Sequence, residues 1–247
     1  MEGKTANFLE SLIFPLIFVA IMWLIHIVQY LFGMDLFWLG VKPRSFEGVL
    51  GIGFSPLIHS GFTHLTSNSI PFLASGAIIM SIFKSVAFRS FGIIYLFTGI
   101  LVWLFADFEA IQTNYHIGAS GVVYGMVTFI FFSGLFVRNR LSIAMSLIML
   151  VAFSGMISGI SPFESDLAGQ VKDITWKMKE GISWESHLLG AIVGMIVAFI
   201  YRAEIKKEHE NNDWQVFEVT PDAEADFFLS RGTFDKTKYE REQEDTL

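Results

Sequence analysis

The chain has 247 residues, of which 53% are hydrophobic and only 17% charged, whereas about a quarter of the residues in a typical soluble domain are charged. Its net charge is −7, and it contains no cysteine. These figures exclude a disordered chain, a basic nucleic-acid-binding protein and a disulfide-stabilised scaffold.

The charged residues are distributed unevenly along the chain. A helix that spans a bilayer needs roughly 20 mostly apolar residues. Several uncharged stretches of about that length favour a polytopic membrane protein over a set of buried helices in a soluble core. The stretches without Asp, Glu, Lys or Arg are 11–34, 48–83, 90–106, 110–137, 141–163 and 186–201.

We predict an all-α membrane protein, a bundle of six transmembrane helices followed by a soluble C-terminal tail. The first span is interpreted as retained, because its apolar run is too long for the core of a cleaved signal peptide. The predicted spans, in chain order, are 11–33, 62–83, 90–106, 119–137, 141–161 and 184–201.

The connections between the predicted spans differ in charge, which predicts their orientation. The short connections 84–89 and 138–140 are basic, and Arg202, Lys206 and Lys207 follow the last span. Lys and Arg near the ends of spans concentrate on the cytoplasmic side of membrane proteins. We therefore predict a multi-pass protein of the cell (inner) membrane with both termini in the cytoplasm.

The last part of the chain differs in composition from the rest. We divide the protein into a membrane domain, residues 1–201, and an acidic cytoplasmic tail, residues 202–247. The tail holds 13 acidic and seven basic residues, so that it carries −6 of the net charge. Such a composition is typical of a solvated, partly disordered segment. A regulatory or partner-binding role of the tail stays open, and its partner is unknown.

A serine at the start of the fourth predicted span is the first candidate for chemistry. Gly118, Ser120 and Gly121 form a Gly-x-Ser-Gly string, which alone is a weak signal because Gly and Ser are common packing residues in membrane helices. The position of Ser120 at the start of a predicted span strengthens this signal. Backbone N–H groups at a helix start are free to stabilise an oxyanion, and small neighbours let a substrate approach.

A serine nucleophile needs a base, and His187 near the start of the sixth predicted span is the candidate. Ser120 and His187 would lie at a similar, shallow depth on the outer side. Gly190 and Gly194 follow on one face of that helix, while Gly121 and Gly125 are spaced similarly on the fourth. Such glycines allow two helices to pack closely, which would bring the hydroxyl and the imidazole together.

Further polar side chains are expected at the same depth. His64 and Asn68 lie four residues apart, on one face of the second predicted span. An imidazole and a carboxamide are donors of the kind that stabilises an oxyanion. Tyr124, four residues after the serine, could pack against His187 and fix its ring. With no acidic third member evident, we predict a Ser120–His187 dyad.

Together these residues resemble the rhomboid family of intramembrane serine proteases. The resemblance covers about residues 11–201 and rests on three motifs in the right order. It departs at residues 41–44, which stand where the first outer loop of many rhomboids carries a Trp-Arg pair. The motifs are His64-x-x-x-Asn68, Gly118-x-Ser120-Gly121 with Tyr124 and Gly125, and His187-x-x-Gly190-x-x-x-Gly194.

The resemblance implies roles for these positions. Ser120 would be the nucleophile and His187 the general base, with His64, Asn68 and the Ser120 backbone N–H as the oxyanion hole. His59 resembles a recurring upstream histidine of the family that helps to hold the hydrogen-bond network. The substrate would be another membrane protein, cleaved in or near its transmembrane segment, and neither a cofactor nor a nucleic acid would be needed.

Two alternative functions remain open at this stage. A metal site could be formed by the outer-side histidines His59, His64, His116 and His187, since imidazole is a common metal ligand. However, the chain has no HExxH string and no evident acidic ligand among these histidines. A non-enzymatic membrane protein, such as a transporter or an inactive rhomboid relative, would also contain broken helices and glycines at helix starts.

Overall fold

The computed structural model describes residues 2–107, 115–138, 143–145, 147–148 and 183–216. The chain divides into two units, Met1–Lys206 and Lys207–Leu247, and the first holds four of the long helices described below and most of the fifth. Within these residues the protein is helical, and its only strand-like feature is an isolated backbone bridge between Val41 and His116. The all-α class predicted from the sequence is confirmed.

Five long helices make up the described part of the bundle. Each contains a segment that is long and apolar enough to cross a membrane, and these segments confirm five of the six predicted spans to within about three residues at their starts. The remaining prediction, 141–161, lies almost wholly outside the described residues. The helices are α1 (Glu2–Phe32), α2 (Phe62–Ile82), α3 (Ala87–Phe105), α4 (Ser120–Val137) and α5 (Trp184–Val216).

Two of these helices occupy the interior of the bundle. In α2 and α4, 56% of the apolar segment that could span a membrane is buried inside the protein. The corresponding share is 28% in α1 and 33% in α3 and α5. Phe72 of α2 stacks on Phe18 of α1 with ring centroids 4.5 Å apart. Phe129 of α4 meets Phe83 edge-on at 5.3 Å. The helix that begins at Ser120 is therefore an inner helix of the bundle.

The outer face of α1 is apolar and exposed. Leu9, Leu16 and Leu24 leave 64%, 51% and 62% of their surface uncovered. A continuous apolar face of this size is unfavourable in water and is expected of a surface that meets lipid. The exposed apolar face and the length of α1 are those of a membrane span. Since the described residues contain five helices that are long and apolar enough to cross a membrane, the protein is a multi-pass membrane protein.

The loop between α1 and α2 is folded against the end of α3. It contains short helical turns at Phe37–Leu39, Glu47–Val49, Gly51–Phe54 and Ser55–Leu57. The Arg44 guanidinium donates to the carbonyl oxygens of Ala106 at 2.6 Å and Asp107 at 2.9 Å. Carbonyl groups at a helix end have no partner within the helix, and a cation there also complements the helix dipole. Arg44 thus pins the loop to α3.

The last helix continues beyond the predicted span. The span was expected to end at residue 201, whereas α5 runs without a break to Val216. Near its middle, Glu204 forms an ion pair with Arg89 of α3. The predicted boundary between the membrane domain and the tail, at residues 201 and 202, stays a prediction.

Candidate active site

The turn that leads into α4 places Ser120 at a helix start. Gly118 has a φ of +103°, a backbone conformation that side-chain-bearing residues rarely adopt. Its N–H donates to the Ser55 carbonyl at 2.9 Å. A Cβ on Gly118 would lie 2.7 Å from Nε2 of His64. Glycine is required here both for the turn and for the close approach of the His64 ring.

His187 lies in the first turn of α5, and its imidazole is directed at Ser120. Its Nε2 is 2.8 Å from Ser120 Oγ, which is hydrogen-bond distance. The His187 side chain is 7% exposed, and Ser120 is half-buried. The two residues are 67 positions apart in sequence, so this contact depends wholly on how α4 and α5 pack. The structure brings together the two side chains that the sequence analysis paired.

Tyr124 packs against the other side of this pair. Its ring stacks on the His187 imidazole with centroids 4.3 Å apart and an angle of 15° between planes. Tyr124 is 6% exposed and lies one turn after Ser120 on α4. A flat, buried surface against the imidazole restricts rotation of its ring, which keeps Nε2 facing the hydroxyl.

Glycines allow α4 and α5 to approach closely enough for this contact. A Cβ on Gly190 would overlap with the carbonyl oxygen of Gly121, and a Cβ on Gly194 with that of Gly125. At the same crossing Thr128 Oγ1 is 3.0 Å from the Ala191 carbonyl oxygen and donates to it across the helix interface. The close packing predicted from the spacing of these glycines is therefore present in the structure.

His64 and Asn68 of α2 lie against the same turn, at Gly118. The Asn68 side-chain amide donates to the His64 carbonyl at 3.1 Å, which leaves its second N–H available. His64 Nδ1 is 3.2 Å from Ser60 Oγ. If Nδ1 accepts the Ser60 proton, Nε2 of His64 carries hydrogen and faces the turn at Gly118. Both side chains then have an N–H donor close to Gly118, two residues before Ser120.

His59 lies behind His64 and away from solvent. It is completely buried, and its ring meets the His64 ring at 5.1 Å and 67°. Burial, and to a smaller extent the electrostatic effect of the nearby His64 ring, lowers the pKa of His59 from 6.5 to about 3. The His59 ring is therefore neutral in the folded protein at physiological pH. A neutral ring suits a residue that packs against His64.

The neutral state of His59 predicts a stability that falls in acid. Its folded-state pKa of about 3 lies below its ordinary value of 6.5, so unfolding takes up a proton as the pH falls between these values. Each pH unit in that window then costs up to about 1.4 kcal/mol of unfolding free energy. We expect the stability advantage of the wild type over His59→Gln to shrink from pH 7 to pH 4 in detergent. Parallel stability curves for the two proteins would contradict this.

The histidines do not assemble into a metal site among the described residues. These contain no group of three or more His, Asp or Glu side chains in an arrangement suited to a metal ion. His187 is engaged with Ser120, and Nδ1 of His116 lies 2.6 Å from Ser183 Oγ. One nitrogen of each ring therefore lies within hydrogen-bond distance of a serine hydroxyl.

A partly open cavity adjoins the Ser120 turn. Its empty volume is about 350 Å³ including the open mouth, and its lining mixes apolar side chains with polar groups from four segments of the chain. The polar lining offers hydrogen bonds to water next to the candidate nucleophile. Polar groups that line it include Ser55, Thr98, His116 and Ser186, and Gly118 and Gly121 form part of its wall.

Three polar residues of this region could not be connected from the sequence. Asp107, His116 and Ser183 lie in contact near the start of α5, although each was noted separately or not at all from the sequence. No spacing rule joins them, because they come from three segments that meet only in the folded bundle.

Comparison with known proteins points to one family. A family model described as Rhomboid domain matches residues 47–204. An uncharacterised protein of Mycobacterium tuberculosis is 32% identical over 193 residues, covering 78% of this chain and 75% of that protein. A protein of Mycobacterium bovis matches to the same extent. One from Mycobacterium leprae is 28% identical over the same length, covering 72% of that protein.

Proposed function

Because this chain belongs to the rhomboid family, a family of intramembrane proteases, we propose that it is a serine endopeptidase with a Ser120–His187 dyad. The observation that carries the proposal is the 2.8 Å hydrogen bond between Ser120 Oγ and His187 Nε2. A serine hydroxyl held against an imidazole is the arrangement that activates a serine nucleophile. The stacking of Tyr124 on that imidazole supports the same assignment.

In the proposed reaction Ser120 Oγ attacks the scissile carbonyl carbon while His187 Nε2 takes the hydroxyl proton. His187 then gives this proton to the leaving amine as the C–N bond breaks, which leaves an ester on Ser120. A water molecule, deprotonated by His187, hydrolyses the ester and regenerates the serine. Each step moves one proton through one nitrogen, so no cofactor enters the reaction.

The negative charge that develops on the carbonyl oxygen requires donors fixed in advance. We assign this role to the Ser120 backbone N–H and the side chains of His64 and Asn68. The supporting residues are Gly118, whose missing side chain makes room for His64, and His59 behind that ring. Gly121 and Gly190 support the dyad from the α4–α5 crossing, and Tyr124 orients its base.

The proposed substrates are transmembrane segments of other membrane proteins. An intact helix hides its peptide carbonyls in its own hydrogen bonds, so a substrate must unwind locally before Ser120 can attack. By the charge distribution of the connections, we place both termini in the cytoplasm and the starts of α2, α4 and α5 toward the outer side of the inner membrane. Cleavage is then expected near the outer end of the substrate segment.

The proposed function is tested with the full-length protein in detergent and a serine-directed fluorophosphonate probe. We expect the probe to label Ser120, identified by peptide mass spectrometry, and to block cleavage of a model transmembrane substrate. EDTA is expected to leave cleavage unchanged. Cleavage that stops with EDTA but resists the probe would favour a metal site. Absence of both labelling and cleavage would favour a non-enzymatic membrane protein.

A further inference from the structure

A second polar cluster lies close to the proposed dyad. It consists of Asp107 just after α3, His116 before α4 and Ser183 before α5, and we call it the α5 anchor. His116 Nδ1 is 2.6 Å from Ser183 Oγ, and its Nε2 is 3.2 Å from Asp107 Oδ2. The side chains of His116 and Asp107 are 8% and 10% exposed. Buried polar groups are costly when they have no partner. The contacts within this cluster therefore favour the positions that its three residues occupy.

One end of the α5 anchor caps the helix that carries His187. Ser183 directly precedes α5, and its Oγ accepts from the Ser186 backbone N–H at 3.3 Å. Its carbonyl oxygen accepts from the Ser186 hydroxyl at 2.8 Å and the His187 N–H at 3.4 Å. A serine in this position satisfies N–H groups that have no partner within the helix. Ser183 therefore defines where the first turn of α5 lies.

The other end of the α5 anchor is held by contacts with the loop between α1 and α2. His116 exchanges two backbone hydrogen bonds with Val41, at 2.8 and 2.9 Å. Asp107, with a φ of +52°, has its carbonyl oxygen held by Arg44. The backbone of His116 and the carbonyl group of Asp107 are thus held by the loop between α1 and α2.

The His116 tautomer with its hydrogen on Nε2 fits the contacts on both sides of the ring. The carboxylate of Asp107 favours hydrogen on Nε2, although that N–H is not well aligned with Oδ2 in spite of the short distance. Nδ1 then accepts the Ser183 hydroxyl proton, and a lone pair of Ser183 Oγ accepts the Ser186 N–H. The Ser183 hydroxyl thus donates to His116 and accepts from the Ser186 N–H, while the Asp107 carboxylate acts only as an acceptor.

We propose that Asp107, His116 and Ser183 are positioning residues that hold the first turn of α5 so that His187 Nε2 faces Ser120 Oγ. The proposal rests on the proposed protease function. His187 lies only four residues beyond Ser183, so a frayed first turn would displace the imidazole directly. A shift of about 1 Å in a reacting group can lower a rate about a hundredfold, and a smaller shift lowers it less.

The test compares conservative and disruptive changes in the full-length protein. Ser183→Ala and Asp107→Ala are each expected to lower kcat for a model transmembrane substrate about tenfold, with KM unchanged. Labelling of Ser120 by the fluorophosphonate probe should slow by the same factor. Ser183→Thr keeps the cap and Asp107→Asn keeps an acceptor, so both should stay within about threefold of wild type. The two alanine changes combined should cost less than the product of the separate losses, because both act through contacts with the His116 ring.

Asp35→Ala is the matched control, since Asp35 is an exposed aspartate that caps a turn in the α1–α2 loop. It should leave kcat and labelling unchanged. The positioning role is overturned if the alanine variants change only KM, match the wild type, or are no worse than their conservative counterparts. If the wild type itself neither labels at Ser120 nor cleaves, the proposed function fails, and the positioning role fails with it. If the wild type labels and cleaves, the protease function stands whatever the variants show.

Discussion

Ser120→Ala is expected to lower cleavage of a model transmembrane substrate by at least about four orders of magnitude. The substitution removes the only atom proposed to form the ester, while the small change in volume leaves the start of α4 intact. His187→Ala should cost a similar factor, since the hydroxyl would lose the imidazole 2.8 Å away. The measurement is the initial rate of cleavage by purified protein in detergent or proteoliposomes.

The double variant sharpens this expectation. If Ser120 and His187 act as one unit, Ser120→Ala combined with His187→Ala should be no slower than either single variant, because residues of a catalytic unit have strongly non-additive effects. Ser133→Ala is the matched control. Ser133 is a buried serine on the same helix, and its replacement should leave the rate near that of wild type. Multiplying losses, or normal cleavage by Ser120→Ala, would refute the dyad.

The helices could be predicted from the sequence because a bilayer imposes a simple rule on it. A span needs about 20 apolar residues without uncompensated charge. Four of the charge-free stretches are close to that length, and 48–83 and 110–137 are long enough for a span and an uncharged loop. Connections with charges or turn-forming residues separate them. For this reason the predicted starts at 62, 119 and 184 lie within one residue of the observed helix starts.

The pairing of Ser120 with His187 could be inferred because depth and glycine spacing are both visible in the sequence. Two helices that begin on the same side place their first turns at one level. Gly121 and Gly190 then mark faces that can approach each other, and in the structure each of these glycines contacts the other helix. Ser120 and His187 could therefore be paired from their common depth and the glycine spacing alone.

The stabilisation of the surrounding loops could not be predicted in the same way. Arg44 contacts carbonyl groups 62 and 63 residues later in the chain, and His116 joins Asp107 to Ser183 across two helix ends. Such contacts depend on how irregular backbone folds back over helix ends, for which no residue period exists. Residues 41–44 contain no Trp-Arg pair, and the loop is held to α3 by Arg44 together with the Trp103 indole N–H, which donates to the Ser45 carbonyl at 2.8 Å.

The crossing of α4 and α5 is expected to be the most sensitive place for a single added methyl group. In Gly190→Ala the new Cβ would overlap with the Gly121 carbonyl oxygen, which is helix backbone and cannot move aside. The helices must then separate, at a cost of about 1–3 kcal/mol of unfolding free energy. Separation also lengthens the contact between Ser120 and His187, so we expect activity to fall at least about tenfold.

Gly92→Ala is the matched control for this prediction, because Gly92 lies within α3 and nothing surrounds the position of its missing Cβ. Alanine there should leave activity unchanged and raise stability slightly, since alanine favours helix more than glycine by about 1 kcal/mol. Thermal unfolding and cleavage rate are measured on the same preparations. If Gly190→Ala behaved like Gly92→Ala, close packing of α4 against α5 would not be what holds His187 at Ser120. If Gly190→Ala loses both stability and activity while Gly92→Ala loses neither, the activity of the site depends on the absence of a side chain at residue 190.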